Sequence, residues 1–340
     1  MENDRQFIKT VQYTYRCIAT ILILVTLMLV IVPRLQIFDQ KQNKAFDPPQ
    51  ERKLKPAKSV VFWSPPDSLS IPASADGDLV RYGRELVAHT AYYLGPNGVV
   101  SNVSNGLNCQ NCHLKAGKKI FGNNYSAVYA TYPKFRGRSG SVETVEKRIN
   151  DCIERSLNGK PLPIDSRELK AFVAYITWVG SNVENNKAPS GTGLVSVPLL
   201  DRPASPQKGK IVFEQHCTQC HGNNGMGIKH ENGREWRYPP LWGPASYNTA
   251  AGLHRISKLA GYVKANMPNG ITFKNPVLTD EEAWDVAAFI NSMPRPEKRF
   301  LQDWPDISKK PYDHPFGPFA DGFSEHRHKY GPFQEMLKKN

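Results

Sequence analysis

The chain has no methionine between Met28 and Met226, and cysteine is scarce, with six among 340 residues and four of those in two tight pairs. Neither pair is followed within about 20 residues by a second pair, the spacing of a closed four-sulfur zinc site. No alternation of strand and helix patterns surrounds either pair, which excludes a thioredoxin-like redox fold. Long hydrophobic runs are missing apart from residues 17–32, a stretch without charge that follows Arg5, Lys9 and Arg16. It ends in Ile31-Val32-Pro33-Arg34 with no small-x-small cleavage pattern, so it is expected to stay as an uncleaved anchor. A signal peptide cut at an atypical site is the alternative. A spanning helix needs about 17–25 apolar residues, and Tyr13 and Tyr15 would extend this run into the interface. Acidic residues are outnumbered 31 to 44, for a net charge of +13. The basic residues are scattered and match no DNA- or RNA-binding motif, which argues against nucleic acid. Anionic lipid, an anionic substrate or an acidic protein partner fits the charge.

The paired cysteines read Cys109-Gln110-Asn111-Cys112-His113 and Cys217-Thr218-Gln219-Cys220-His221. In Cys-x-x-Cys-His, each thiol closes a thioether on a haem vinyl group and the adjacent His ligates the iron. Two copies imply two covalently bound haem c groups. Such attachment takes place outside the cytoplasm, which predicts a protein on the periplasmic, extracytoplasmic face of a bacterial inner membrane with its amino terminus inside.

The same plan is written twice. Gly83-Arg84-Glu85-Leu86-Val87 corresponds to Gly209-Lys210-Ile211-Val212-Phe213, and Asn158-Gly159 to Asn269-Gly270. Each copy closes with a capped amphipathic helix. Asp165 or Ser166 caps one carrying Leu169, Phe172, Val173 and Ile176, and Thr279 opens a capping box before Ala283, Val286, Ala287 and Ile290. The expected fold is mainly α, with two tandem class I cytochrome c domains, an N-terminal transmembrane helix and an irregular C-terminal tail. The expected layout is an anchor over residues 1–35, a Pro/Lys-rich spacer over 36–74, domains over 75–185 and 205–297 joined by a linker over 186–204, and the tail over 298–340. His326 and His328 of the tail are expected on a solvated surface, with metal binding as the alternative.

In this layout the distal Met sits in the loop before the last helix, which assigns Met267 to the second haem. Met226 is only five residues beyond His221, and Met293 follows the last helix. Lys264, one turn before Met267, is the other contender. A thioether raises the potential of its haem. The first domain has Ser156 where the second has Met267, so its distal ligand must be Cys152, a His, a Lys or nothing. His89 lies on the opening helix, which in this layout packs away from the distal face. Cys152 lies four residues before Ser156 on an expected helix over 142–157 that also carries Arg148, and all three share one face. Lys134 and Arg138 lie just upstream. Guanidinium groups beside a cysteine favour the thiolate, which is both a nucleophile and a soft iron ligand. The charged neighbours Glu154 and Arg155 argue against deep burial of this helix.

Two segments carry a family likeness: Asn105-Gly106-Leu107-Asn108-Cys109-Gln110-Asn111-Cys112-His113, and Arg148-Ile149-Asn150-Asp151-Cys152-Ile153-Glu154-Arg155-Ser156-Leu157-Asn158-Gly159-Lys160. Through them the chain, over residues 77–296, resembles the dihaem thiosulfate dehydrogenase family. Its first domain is similar to the catalytic haem subunit of sulfur-oxidising cytochrome complexes. The resemblance implies that Cys152 ligates the first haem and holds a substrate sulfur, that Arg138 and Arg148 bind substrate with Ser156 nearby, and that Met267 ligates the second haem. Some members carry a ligand-swapping Lys directly before that Met, whereas this chain has Asn266. The implied activity joins two thiosulfates into tetrathionate and passes electrons from the first haem to the second, then to a soluble cytochrome c or a terminal oxidase. The competing readings are a non-catalytic, membrane-anchored electron-transfer cytochrome and a dehydrogenase or reductase of another small sulfur species.

Overall fold

The computed structural model describes residues 2–43, 60–231 and 233–338, so residues 44–59 of the expected spacer lie outside the described residues. The chain divides into two compact units, Met1–Ser59 and Val60–Asn340. The first holds helix α1 (Glu2–Asn43), which runs past the anchor boundary expected at residue 35. Its stretch Val11–Leu29 has mean hydropathy 1.5 and is long and apolar enough to cross a membrane, as an anchor or a signal sequence would be. Two of its hydroxyls are satisfied within the helix, where Thr20 and Thr26 donate to the carbonyls of Arg16 and Leu22 at 2.6 Å.

The second unit is mostly helical with few strands. Its main helices are α2 (Ala75–Ala88), α3 (Val145–Arg155), α4 (Arg167–Val179), α5 (Pro206–His216), α6 (Ile256–Asn266) and α7 (Asp280–Ser292). Five of these start at a Ser or Thr side chain that accepts a backbone N–H, namely Ser74, Thr144, Ser166, Ser205 and Thr279. The capping box between Thr279 and Glu282 forms as the sequence predicts. Helix α3 is shorter than the expected 142–157, because Ser141–Glu143 pairs instead as strand β2 with β1 (Lys134–Arg136) in an antiparallel hairpin. Arg138 sits in the turn of that hairpin. A second small hairpin joins β3 (Ile228–Lys229) to β4 (Trp236–Tyr238).

Helix α2 packs on α4 and α5 packs on α7, and the matched glycines mark both crossings. A Cβ on Gly83 would lie 1.9 Å from the carbonyl oxygen of Ala171, and one on Gly209 would lie 1.8 Å from that of Asp285. Only a hydrogen lets the backbones approach this closely. Leu86, Leu169, Phe172 and Tyr175 fill the first core, and Phe213, Ala283, Trp284 and Ile290 the second.

The tail is more ordered than an irregular segment would be. It carries α8 (Glu325–Tyr330) and α9 (Gln334–Lys338), and it buries Phe333 and Met336 in the second core at 3% and 1% exposure. Asp313 is fully buried and accepts from Arg255 and Ser257. The solvated surface expected for His328 is corrected here. The residue is buried, its Nδ1 lies 2.6 Å from the carbonyl of Tyr312, its Nε2 lies 3.0 Å from Asp321, and its ring stacks on Phe319. His326 is exposed as expected.

Candidate functional site

The loop carrying the first Cys-x-x-Cys-His is fixed by its asparagines. Asn108 N–H donates to Asn111 Oδ1 at 2.7 Å, Asn108 Oδ1 accepts from Ala91 N–H at 2.7 Å, and Cys109 N–H donates to Thr90 Oγ1 at 2.9 Å. His113 places Nδ1 2.6 Å from the carbonyl of Asn123, which commits that nitrogen as donor and leaves Nε2 for a metal. Burial pushes its imidazole down to about 4, so the neutral, ligating form is the one held. His221 is built the same way, with Nδ1 2.7 Å from the carbonyl of Pro239 and its pKa lowered by burial.

Each histidine lines a cavity together with its two free, half-buried cysteines. The first cavity is mainly apolar and also takes in Tyr125, Phe172, Arg148, Cys152 and Ser156. An apolar slot holding two thiols and a neutral imidazole with a free Nε2 fits a covalently held haem c. The second cavity has the same donor set, with Met267 on its wall. Met226 and Met293 pack against the second core without lining this cavity. Lys264 spends its ammonium on the carbonyl of Leu278 at 2.7 Å and on Asp280 at 2.8 Å. Asn266 turns its amide to the carbonyls of Phe121 and Tyr262, both at 3.0 Å. Cys112 lines both cavities, as does Leu107, so the two pockets share a wall.

A polar cleft opens beside the first cavity. Cys152, Arg138, Arg148 and Ser156, singled out from the sequence, all line it. Arg148 and Cys152 come from α3, and Ser156 is the residue that ends that helix. The Cys152 sulfur is the largest influence on Arg148, raising its pKa against the opposing effect of burial. Arg138 is lowered to about 10, by burial first and by Arg155 next. His89 faces elsewhere, pairing with Glu235 at 3.1 Å.

The cleft also holds residues that the sequence reading missed. Arg136 is one, and its alternation with Arg138 along the chain was a usable signal. Arg155 is another, lying three residues after Cys152 and so on a nearby face. Its charge does not keep it exposed. It is 5% exposed, its guanidinium lies 2.7 Å from Asp303 and stacks on Phe300 at 3.7 Å. Arg255, Lys258, Tyr247 and Trp304 complete the lining from the second domain and the tail, and no local pattern announces them.

The comparisons find two cytochrome c domains in the chain. Residues 100–184 match the SoxA/TsdA cytochrome c domain and residues 206–294 match the cytochrome c domain. Thiosulfate dehydrogenase of Stutzerimonas stutzeri is 35% identical over 69% of this chain and 74% of its own length. That of Allochromatium vinosum is 35% identical over 70% of this chain and 86% of its own length. The solved thiosulfate dehydrogenase (TsdBA) of Marichromatium purpuratum, in its "as isolated" form, superposes with a TM-score of 0.65 at 33% identity over 71% of this chain. The chain spans about half, 51%, of that larger protein. With two cytochrome c domains and relatives of this length and identity, the chain belongs to the thiosulfate dehydrogenase family of cytochrome-linked oxidoreductases.

Proposed function

We propose that the protein oxidises thiosulfate to tetrathionate at the cleft beside the first haem, with Cys152 as the reacting sulfur. The observation that carries this is that Cys152 and His113 line one mainly apolar cavity with Cys109 and Cys112 while Arg138, Arg148 and Ser156 line the cleft opening onto it. Cys109, Cys112 and His113 would hold one haem c and Cys217, Cys220 and His221 a second, with the sulfurs of Cys152 and Met267 on the walls of the two cavities available to the iron. When bound, these groups supply one-electron acceptors of differing potential.

The protein's own residues do the rest. Arg138 and Arg148 hold the sulfonate end of a thiosulfate dianion by charge-assisted hydrogen bonds, and the Ser156 hydroxyl adds a neutral donor. That aims the sulfane sulfur at Cys152. Forming the Cys152–sulfur bond releases two electrons and leaves an S-sulfonated persulfide on the cysteine. The sulfane sulfur of a second thiosulfate attacks this adduct, releasing tetrathionate and regenerating the Cys152 thiolate. The two electrons would be taken up by the haems, whose cavities share a wall at Cys112 and Leu107, with a soluble cytochrome c or a terminal oxidase as the acceptor beyond them. The N-terminal helix tethers the protein to the inner membrane, with both haem domains outside the cytoplasm.

Thiosulfate added to the oxidised protein should bleach the oxidised haem bands and raise the reduced ones, and Cys152→Gly should abolish this while dithionite still reduces both haems. Haem reduction only by a protein donor, with no response to thiosulfate, would make the protein an electron carrier instead.

A further inference from the structure

Trp304 of the tail lies outside both matched domains yet lines the cleft, and the nearby Phe300 and Asp303 contact arginines that line it. Asp303 places Oδ1 2.7 Å from Nη2 of Arg155 and Oδ2 3.9 Å from Nε of Arg138, so one carboxylate bridges two guanidiniums that would otherwise repel. The next residue holds Arg138 from two further directions. Trp304 N–H donates to the carbonyl of Arg138 at 2.6 Å, and the indole lies 5.5 Å from its guanidinium. That indole is itself fixed, donating to Nε2 of His314 at 3.2 Å. Trp304 adopts φ +62, a left-handed conformation that a bulky residue takes only where the surroundings impose it. Arg138 Nη1 is anchored on the carbonyl of Ala250 at 3.0 Å. In Arg155, Nε and Nη1 are buried without a hydrogen-bond partner among the described residues. Buried donors in a cationic cleft are what an arriving oxyanion would satisfy.

We infer that the tail is built into the anion site: Asp303 and Trp304 are positioning residues that hold Arg138 and Arg155 in place for the substrate's sulfonate. This rests on the reading of the cleft as the thiosulfate site. Nearest in chemistry is a haem propionate, which would use the same guanidiniums without affecting substrate binding.

The test uses the full-length dihaem protein and thiosulfate oxidation with an artificial electron acceptor. Asp303→Asn should raise KM for thiosulfate by about fivefold or more with kcat within about twofold, because it loosens ground-state binding and leaves Cys152 alone. Trp304→Gly accepts φ +62 without strain, so it removes the ring and spares the backbone. It should also raise KM, whereas Trp304→Phe, which keeps an aromatic face for Arg138, should stay near the parent. The Soret spectra of all three should match the parent protein. If KM stays put in Asp303→Asn and Trp304→Gly while Arg138→Ala raises it, the tail plays no part and the inference falls. A shift confined to the first haem's potential, with KM unchanged, assigns the pair to a propionate and also overturns it. Should Arg138→Ala itself leave KM unchanged, the cleft is not the thiosulfate site and the underlying reading fails with it.

Discussion

The phenol of Tyr262 donates a 2.6 Å hydrogen bond to the carbonyl of Asn111, joining the helix that ends beside Met267 to the loop between Cys109 and Cys112. Tyr262 is 5% exposed and lines the cavity around Cys217, Cys220 and His221, whose wall also includes Cys112. A single bond therefore ties the distal side of one domain to the haem-attachment loop of the other. Tyr262→Phe should cost about 1 kcal/mol of stability, the typical worth of such a bond when the ring stays in place. It should also slow electron transfer between the haems by about severalfold, by loosening their shared wall, while thiosulfate reduces the first haem at the parent rate. Thermal melts and rapid-mixing spectroscopy at haem-specific wavelengths measure the two effects. Unchanged transfer would show that the wall at Cys112 holds its geometry without this bond.

The two matched glycines give a sharper test of the fold. Gly83→Ala and Gly209→Ala each push a methyl into a carbonyl of the partner helix, at Ala171 and Asp285 respectively. Overpacking of this kind costs about 1–3 kcal/mol, against the gain of about 1 kcal/mol that Gly→Ala brings to an exposed helix. Chemical denaturation should show the loss at both positions. A stabilised variant at either would mean that the helices separate there at little cost.

Those glycines also show how much the sequence disclosed and where it stopped. The repeated Gly-centred helices, the haem pentapeptides and the capping box are local patterns, and local patterns follow from backbone sterics and side-chain caps. Arg148, Cys152 and Ser156 were legible because helical periodicity puts them on one face. Asp303 and Trp304 follow Cys152 by about 150 residues, and their place at the cleft arginines depends on how the tail folds back, which no short-range pattern encodes. Arg155 misled because a charged residue is normally exposed. Its burial depends on that same distant carboxylate and on Phe300.

Ligation of the second haem separates the methionines. Met267→Ala should remove the near-infrared sulfur-to-iron band of the oxidised protein and lower the potential of that haem, since a thioether favours ferrous iron. Met293→Ala should leave the band intact and cost only packing, about 2–5 kcal/mol if the site were fully buried and less here because Met293 is partly exposed. A band that survives Met267→Ala and disappears in Met293→Ala would reverse the assignment.

Acid should destabilise the second domain and the tail through two buried histidines that lie outside both Cys-x-x-Cys-His motifs. Burial first, and Arg295 next, lower His254 to about 3, and burial followed by Lys310 lowers His314 to about 3. The folded protein thus keeps both imidazoles neutral down to about pH 3, whereas the unfolded chain protonates them below about 6.5. Across that window the unfolded state binds more protons, so stability falls as pH drops, by up to about 1.4 kcal/mol per pH unit for each imidazole. His254 stacks on Phe316 with centroids 5.6 Å apart, and its Nδ1 has no hydrogen-bond partner among the described residues. His254→Phe therefore keeps the stack and removes the titration. Melting temperatures measured from pH 7 to pH 4 should fall less steeply in this variant than in the parent. Equal slopes would place the acid sensitivity elsewhere, with His314 and its contact to the Trp304 indole the next position to vary.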